Sequence, residues 1–237
     1  MNAVSGNFEK PFLRNWILAT CGALILSLPV IVIAPQIIPL PAGTDSLGWT
    51  ATIGAMVGSA QWLMLKNRIP LSLWWVLACA IGLGLPLAAE SVARSVGMAL
   101  PIPATTGGKV LYWTSLGFFG GLFSGMLQLP LLKTHYVKAN WWIAASAAGW
   151  ALCSMAASSV DAAVTFVSSS TVGGSSILVA LLTGITALAG GLLFAVPLGA
   201  LTGLSLLWMA KGSANKQQRV LSPDSSIKQP DHGSLKV

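Results

Sequence analysis

The chain has 237 residues, of which 54% are hydrophobic and only 8% charged, with a net charge of +7. A soluble domain carries about 25% charged residues, so this composition excludes an ordinary soluble domain and makes lipid the expected solvent for most of the chain. The basic residues sit in short turns and in a tail rather than on one face, so the positive charge does not point to nucleic acid.

In chain order, residues 1–12 form a polar N-terminal segment, and a first apolar span is expected from about Leu13 to Ala34, behind Lys10 and Arg14. A signal peptide shares a basic start and an apolar core, but this run is longer, and Pro29 and Pro35 stand where a small-x-small cleavage site would be. A second span is expected from Leu47 to Leu65, ended by Lys66-Asn67-Arg68, and a third from Leu71 to Val92, with Pro86 near its far end. After a loop over 93–109, a fourth span covers Val110 to Leu132, the turn Lys133 to Lys138 follows, and a fifth covers Trp141 to Val160. Residues 161–176 read as a Ser/Gly-rich loop.

The apolar run from Ile177 to Met209 would be roughly 50 Å long as one helix, against a hydrocarbon core of roughly 30 Å. The sixth span is therefore placed from Ala187 to Ala210, with Ile177 to Thr186 as an outer extension or an interfacial helix. The polar stretch 212–237 lacks apolar periodicity and is expected to be disordered.

Charge sets the expected orientation. Lys10, Arg14, Lys66, Arg68, Lys133 and Lys138 and the five basic residues from Lys211 onward fall on one side, and Arg94 and Lys109 on the other. The positive-inside rule then places both termini in the cytoplasm of a cell inner or internal membrane. Trp16, Trp62, Trp74, Trp75, Trp141, Trp142 and Trp208 fall at the cytoplasmic boundary, where tryptophan collects at the headgroup level.

An internal repeat organises these spans. Gly54, Gly58, Gln61, Lys66, Trp74-Trp75 and Gly82 recur at an offset of 67 residues as Gly121, Gly125, Gln128, Lys133, Trp141-Trp142 and Gly149. Pro39-Leu40-Pro41-Ala42 resembles Pro101-Ile102-Pro103-Ala104, Trp16-Ile-Leu-Ala19 resembles Trp75-Val-Leu-Ala78, and the end of span six carries Gly199 and Gly203 with Leu206 in the Gln slot. The expected fold is all-α, an integral membrane protein of six transmembrane helices built as three parallel-repeat hairpins over 13–65, 71–132 and 141–210.

Gly54, Gly58 and Gln61 share one helix face, as do Gly121, Gly125 and Gln128. Small residues at this spacing let helix backbones approach in lipid, and a Gln among them can hydrogen-bond across helices. The alternative role for Gln61 and Gln128 is a polar vestibule facing the cytoplasm. Glu90 is an acid near the end of a span, either paired with Arg94 one turn on or handling a proton or cation. Cys21, Cys79 and Cys153 each fall inside an apolar run, and no Cys-x2-Cys pair occurs. No catalytic residue, cofactor or metal ligand set is expected, since no Ser/His/Asp set or acidic metal cluster appears.

The segment Gly54-x3-Gly58-x2-Gln61-Trp62-x2-Leu65-Lys66, followed by Trp75-Val-Leu-Ala, resembles uncharacterised bacterial multi-pass membrane proteins with repeated Gly-rich spans ending in Gln-Trp-x-x-Leu-Lys/Arg. The resemblance covers roughly residues 13–211 and implies no activity, cofactor or catalytic residue. The three-hairpin topology is similar to that of mitochondrial-type carriers, whose Pro-x-Asp/Glu-x-x-Lys/Arg motif is absent here. The expected function is that of a non-enzymatic accessory or scaffold protein, with membrane lipids and other membrane proteins as partners. The alternative is a small-molecule or ion transporter with a site near Gln61 and Gln128.

Overall fold

A computed structural model describes residues 10–37, 45–98, 101–170, 189, 192–193 and 195–213. The described residues are all α-helical apart from turns and loops. The helices are α1 (Lys10–Ile37), α2 (Asp45–Leu65), α3 (Trp74–Ser95), α4 (Thr106–Lys133), α5 (Trp141–Ser170) and α6 (residues 195–213), and no strand occurs among them. Both α3 and α4 are long and apolar enough to cross a membrane. The polar N-terminus over 1–9, the first Pro-x-Pro loop, the segment 177–186 and the tail over 214–237 lie outside the described residues.

Local chemistry sets the start of α4. Thr105 is extended, with φ −75° and ψ 145°, and its hydroxyl accepts the Gly108 amide at 3.2 Å, so α4 begins four residues before the apolar run that marks it. The end of α5 also differs from the reading of hydropathy alone. Residues 161–170, expected as loop, continue α5 to Ser170. Asp161-Ala-Ala-Val-Thr-Phe-Val contains no glycine or proline, and the first such breaker is Gly173, so nothing stops the helix at Val160.

The helices pack against their chain neighbours, α1 on α2, α2 on α3, α3 on α4 and α4 on α5. Glycines set the closest approaches. A Cβ at Gly54 would lie 2.6 Å from the Cys79 carbonyl oxygen, and one at Gly125 would lie 2.9 Å from Ile143 Cα. One at Gly149 would lie 3.3 Å from Leu198 Cα, and one at Gly199 would lie 3.0 Å from Ile17 Cα. The last two contacts place α6 between α5 and α1, so the six helices close into a ring.

The turns 66–73 and 134–140 and the end of α6 mark one end of this ring, here called the basic end. Arg68 stands over the Phe12 ring at 4.6 Å, and the Val137 amide donates to Ser213 Oγ at 3.3 Å. The principal hydrophobic cluster fills this end, with Trp16, Trp75 and Trp142 at its centre beside Leu65, Leu132 and Leu206. Hydropathy places these three tryptophans at the headgroup level. The structure keeps them at that end but turns them inward, with no more than 1% of each exposed. Large indoles bury extensive apolar surface between packed helices. Burial also pushes the Tyr136 hydroxyl, in the 134–140 turn, up to about 12, against a small opposing effect of Arg68.

Candidate functional site

Two features bear on function: a polar seam around Gln128 and an apolar cavity beyond it.

Gln128 is 1% exposed, on the face of α4 that also carries Gly121 and Gly125. Its Nε2 donates to Cys79 Sγ at 3.0 Å and to the Trp75 carbonyl at 3.5 Å. Its Oε1 accepts the Trp142 indole N–H at 2.8 Å. An indole nitrogen can only donate, so the amide oxygen must face Trp142 and the amide nitrogen must face α3. One side chain thereby joins three helices, with Ser124 Oγ adding a donation to Cys79 Sγ at 3.7 Å. Trp75 and Trp142 pack around this junction with ring centroids 5.3 Å apart.

Gln61 stands in the same sequence frame and has a different environment. It is 3% exposed, on α2 beside Gly54 and Gly58, and no hydrogen bond joins it to any described residue. Trp75, which follows Gln61 at the same distance as Trp142 follows Gln128, has a buried Nε1 with no partner among the described residues. The third tryptophan does have a partner: Trp16 Nε1 donates to Thr202 Oγ1 at 3.0 Å, and that hydroxyl donates to the Leu198 carbonyl at 2.6 Å. Sequence reasoning missed Thr202, although its place before Gly203 matches that of Ser124 before Gly125.

Glu90 is not part of this seam. It lies near the end of α3 away from the basic end, and Arg94 Nε donates to its Oε1 at 2.9 Å, with Arg94 Nη2 on the same oxygen. An i,i+4 pair on an exposed helix end contributes little to stability. Glu90→Gln is therefore expected to leave the thermal unfolding midpoint of the purified protein within about 1 °C of the parent, since such pairs sit near the bottom of the scale of single-residue effects. A fall of several degrees would assign the carboxylate a buried partner.

The cavity, about 200 Å³, lies among α1 to α5 and is lined mainly by Leu24, Ile53, Leu83, Leu87, Trp113 and Trp150. Of the three hydroxyl side chains at its wall two are turned away, Ser27 Oγ donating to the Leu24 carbonyl at 2.7 Å and Thr50 Oγ1 to the Leu47 carbonyl at 3.2 Å, and the third is Ser154 beside Gly117. Gln61, Gln128 and Glu90 are not among its lining residues. Leu24, Leu83 and Trp150 each lie about two helical turns from Trp16, Trp75 and Trp142 in the direction away from the basic end. The indole cluster therefore fills the bundle between the cavity and the basic end. A mainly apolar space of this size suits a hydrocarbon group better than a hydrated ion.

No protein-family model matches this chain, and neither a curated protein nor a solved structure matches it. The class stands on the geometry alone: an all-helical protein of six described helices, two of them long and apolar enough to cross a membrane.

Proposed function

We propose that the chain is a six-span integral membrane protein of three repeated hairpins, with both termini in the cytoplasm. In this reading it acts without catalysis, as an accessory or scaffold protein packing with membrane lipids and other membrane proteins. The observation that carries the reading is the separation of its polar groups from its open space. The Gln128 amide and the Thr202 hydroxyl hold helices together, while the cavity is apolar and reaches neither glutamine. A transporter for a polar solute needs polar groups facing a hydrated path, and the buried indoles occupy the place that path would take at the basic end. Repetition is supported by the glycine seams Gly54/Gly58 on α3 and Gly121/Gly125 on α5, whose contacts are 67 residues apart (Cys79 and Ser146, Val76 and Ile143), while Gly199/Gly203 pack on α1 about one turn out of that register.

Two measurements test the proposal. In proteoliposomes the purified protein should give no flux of protons, potassium, sugars or amino acids above empty vesicles. Flux that disappears in Gln61→Leu, a change that removes no hydrogen bond, would establish the transporter reading instead. In intact bacteria, a cysteine at Thr105 should react with an impermeant maleimide and one at His135 only after permeabilisation. The reverse pattern would invert the topology, and labelling of both in intact cells would rule out membrane insertion in this form.

A further inference from the structure

We infer that the groove between α5 and α6 at the basic end binds an anionic phospholipid, one acyl chain in the groove and the headgroup on Lys138 and Lys211. The inference rests on the membrane reading above.

The groove measures about 420 Å³ and is walled by Ala144, Ala148, Leu201 and Leu204, with Trp141 and Trp208 at its basic end. It exists because the α5 side chains are small. At the same offset of 67 residues, α3 carries Leu77 and Ile81 where α5 carries Ala144 and Ala148. The aromatic at its mouth also differs. Trp74, the counterpart of Trp141, lies across the α3–α4 seam and donates to the Leu127 carbonyl at 3.2 Å. Trp141 instead meets Trp208 edge-to-face, with ring centroids 5.5 Å apart, and leaves the α5–α6 seam open.

The chemistry of the groove selects its occupant. Ser205, the polar residue in its wall, donates its hydroxyl to the Thr202 carbonyl at 2.8 Å, so the interior presents hydrocarbon only. At the mouth, Lys138 Nζ lies 4.1 Å from the Trp208 ring centre, and the stem of Lys138 runs along Gly212, where a Cβ would meet its Cδ at 3.6 Å. Lys211, the neighbour of Gly212, is exposed at the same end. A cation held over an indole face keeps N–H donors free for an anion. Among the described residues the acids Asp45, Glu90 and Asp161 all lie on helix segments away from the basic end, so no described carboxylate stands beside these lysines. From Trp141 to Ala148 is about two helical turns, roughly 10 Å, enough for the part of an acyl chain nearest its headgroup. Hydrocarbon below and two ammonium groups above match an anionic phospholipid rather than a zwitterionic one.

Native mass spectrometry of the full-length protein, with phosphatidylglycerol and phosphatidylcholine of identical chains supplied in equal amount, tests this. Wild type should retain one phosphatidylglycerol in preference to phosphatidylcholine, each lysine contributing about fivefold to that preference. Lys138→Ala/Lys211→Ala should bring the two lipids to near parity, and Ala148→Leu should reduce retention of both. Unchanged thermal unfolding would show that each variant is folded; should either fail to fold, Lys138→Gln with Lys211→Gln and Ala144→Val provide the same comparison. Equal retention by wild type, or a preference that survives loss of both lysines, would overturn the site. Disulfide-linked dimers formed through Ala148→Cys would assign the groove to a second copy and overturn it too. Release of the protein from membranes by alkaline carbonate would overturn the membrane reading itself, whereas an inserted protein without lipid preference would overturn only the groove.

Discussion

Replacing Gly121 with valine is expected to lower the stability of the purified protein by about 3 kcal/mol, the upper part of the usual overpacking range. A Cβ at Gly121 would fall on the Ser146 carbonyl oxygen and stand 2.9 Å from Ala147 Cα. Both are backbone atoms of α5, so no side chain can rotate away to make room, and the two helices must part. Parting also loosens the contacts on either side of Gly121. Gly117 has the Trp150 carbonyl oxygen 2.7 Å from where its Cβ would be, and Gly125 has Ile143 Cα at 2.9 Å. The gain in helix propensity on losing a glycine is at most about 1 kcal/mol and cannot offset this. Gly22 supplies the control. Nothing lies within 4 Å of a Cβ built there, so Gly22→Ala should keep or raise stability by up to about 1 kcal/mol. Thermal unfolding of the two variants in one detergent separates them. If Gly121→Val melts with the parent, the α4–α5 seam is not the close contact described.

Gln128→Leu is expected to cost about 2 kcal/mol, whereas Gln61→Leu should be nearly neutral or slightly stabilising. The first substitution strips the acceptor from the buried Trp142 indole and the donor from Cys79 and the Trp75 carbonyl, and leaving buried polar groups unmatched costs about 1–3 kcal/mol. Leucine at position 61 removes an amide that makes no hydrogen bond to a described residue, so no bond is lost and a side chain of similar volume is kept. Equilibrium unfolding in mixed micelles, with both variants measured against the parent, gives the two differences. Equal losses would mean that Gln61 and Gln128 make equivalent bonds, and that the asymmetry between Trp75 and Trp142 is not a property of the folded state in detergent.

The helices, their order and the faces on which they pack were legible in the sequence. Gly54 with Gly58, and Gly121 with Gly125, were assigned to helix-packing seams from spacing alone, and each meets the backbone of the next helix in the chain. Glu90 was read either as pairing with Arg94 or as handling a proton or cation, and the ion pair with Arg94 is present. The inward turn of Trp16, Trp75 and Trp142 was not legible, because an indole near a helix end suits both a headgroup region and a helix interface. Thr202 escaped because the third repeat carries Leu206 in the Gln slot, and the acceptor for Trp16 comes instead from the adjacent position on the glycine face. The extension of α5 escaped because falling hydropathy was taken as a helix end, while the backbone needs a glycine or proline to break it.

The sequence by itself determined the all-helical class and the register of the Gly54/Gly58 and Gly121/Gly125 seams. Charge content and the length of apolar runs are properties of the chain alone, and a four-residue spacing puts small side chains on one face of any α-helix. Only the tertiary structure decided what the two glutamines do and where space remains. A hydrogen bond requires a donor and an acceptor to meet at about 3 Å, and at Gln128 those groups come from three helices. The cavity and the α5–α6 groove depend in the same way on the sizes of side chains that face one another across helices far apart in the chain. Ala148 in place of an Ile81-like residue is unremarkable in the sequence and becomes an opening only beside Leu201 and Leu204.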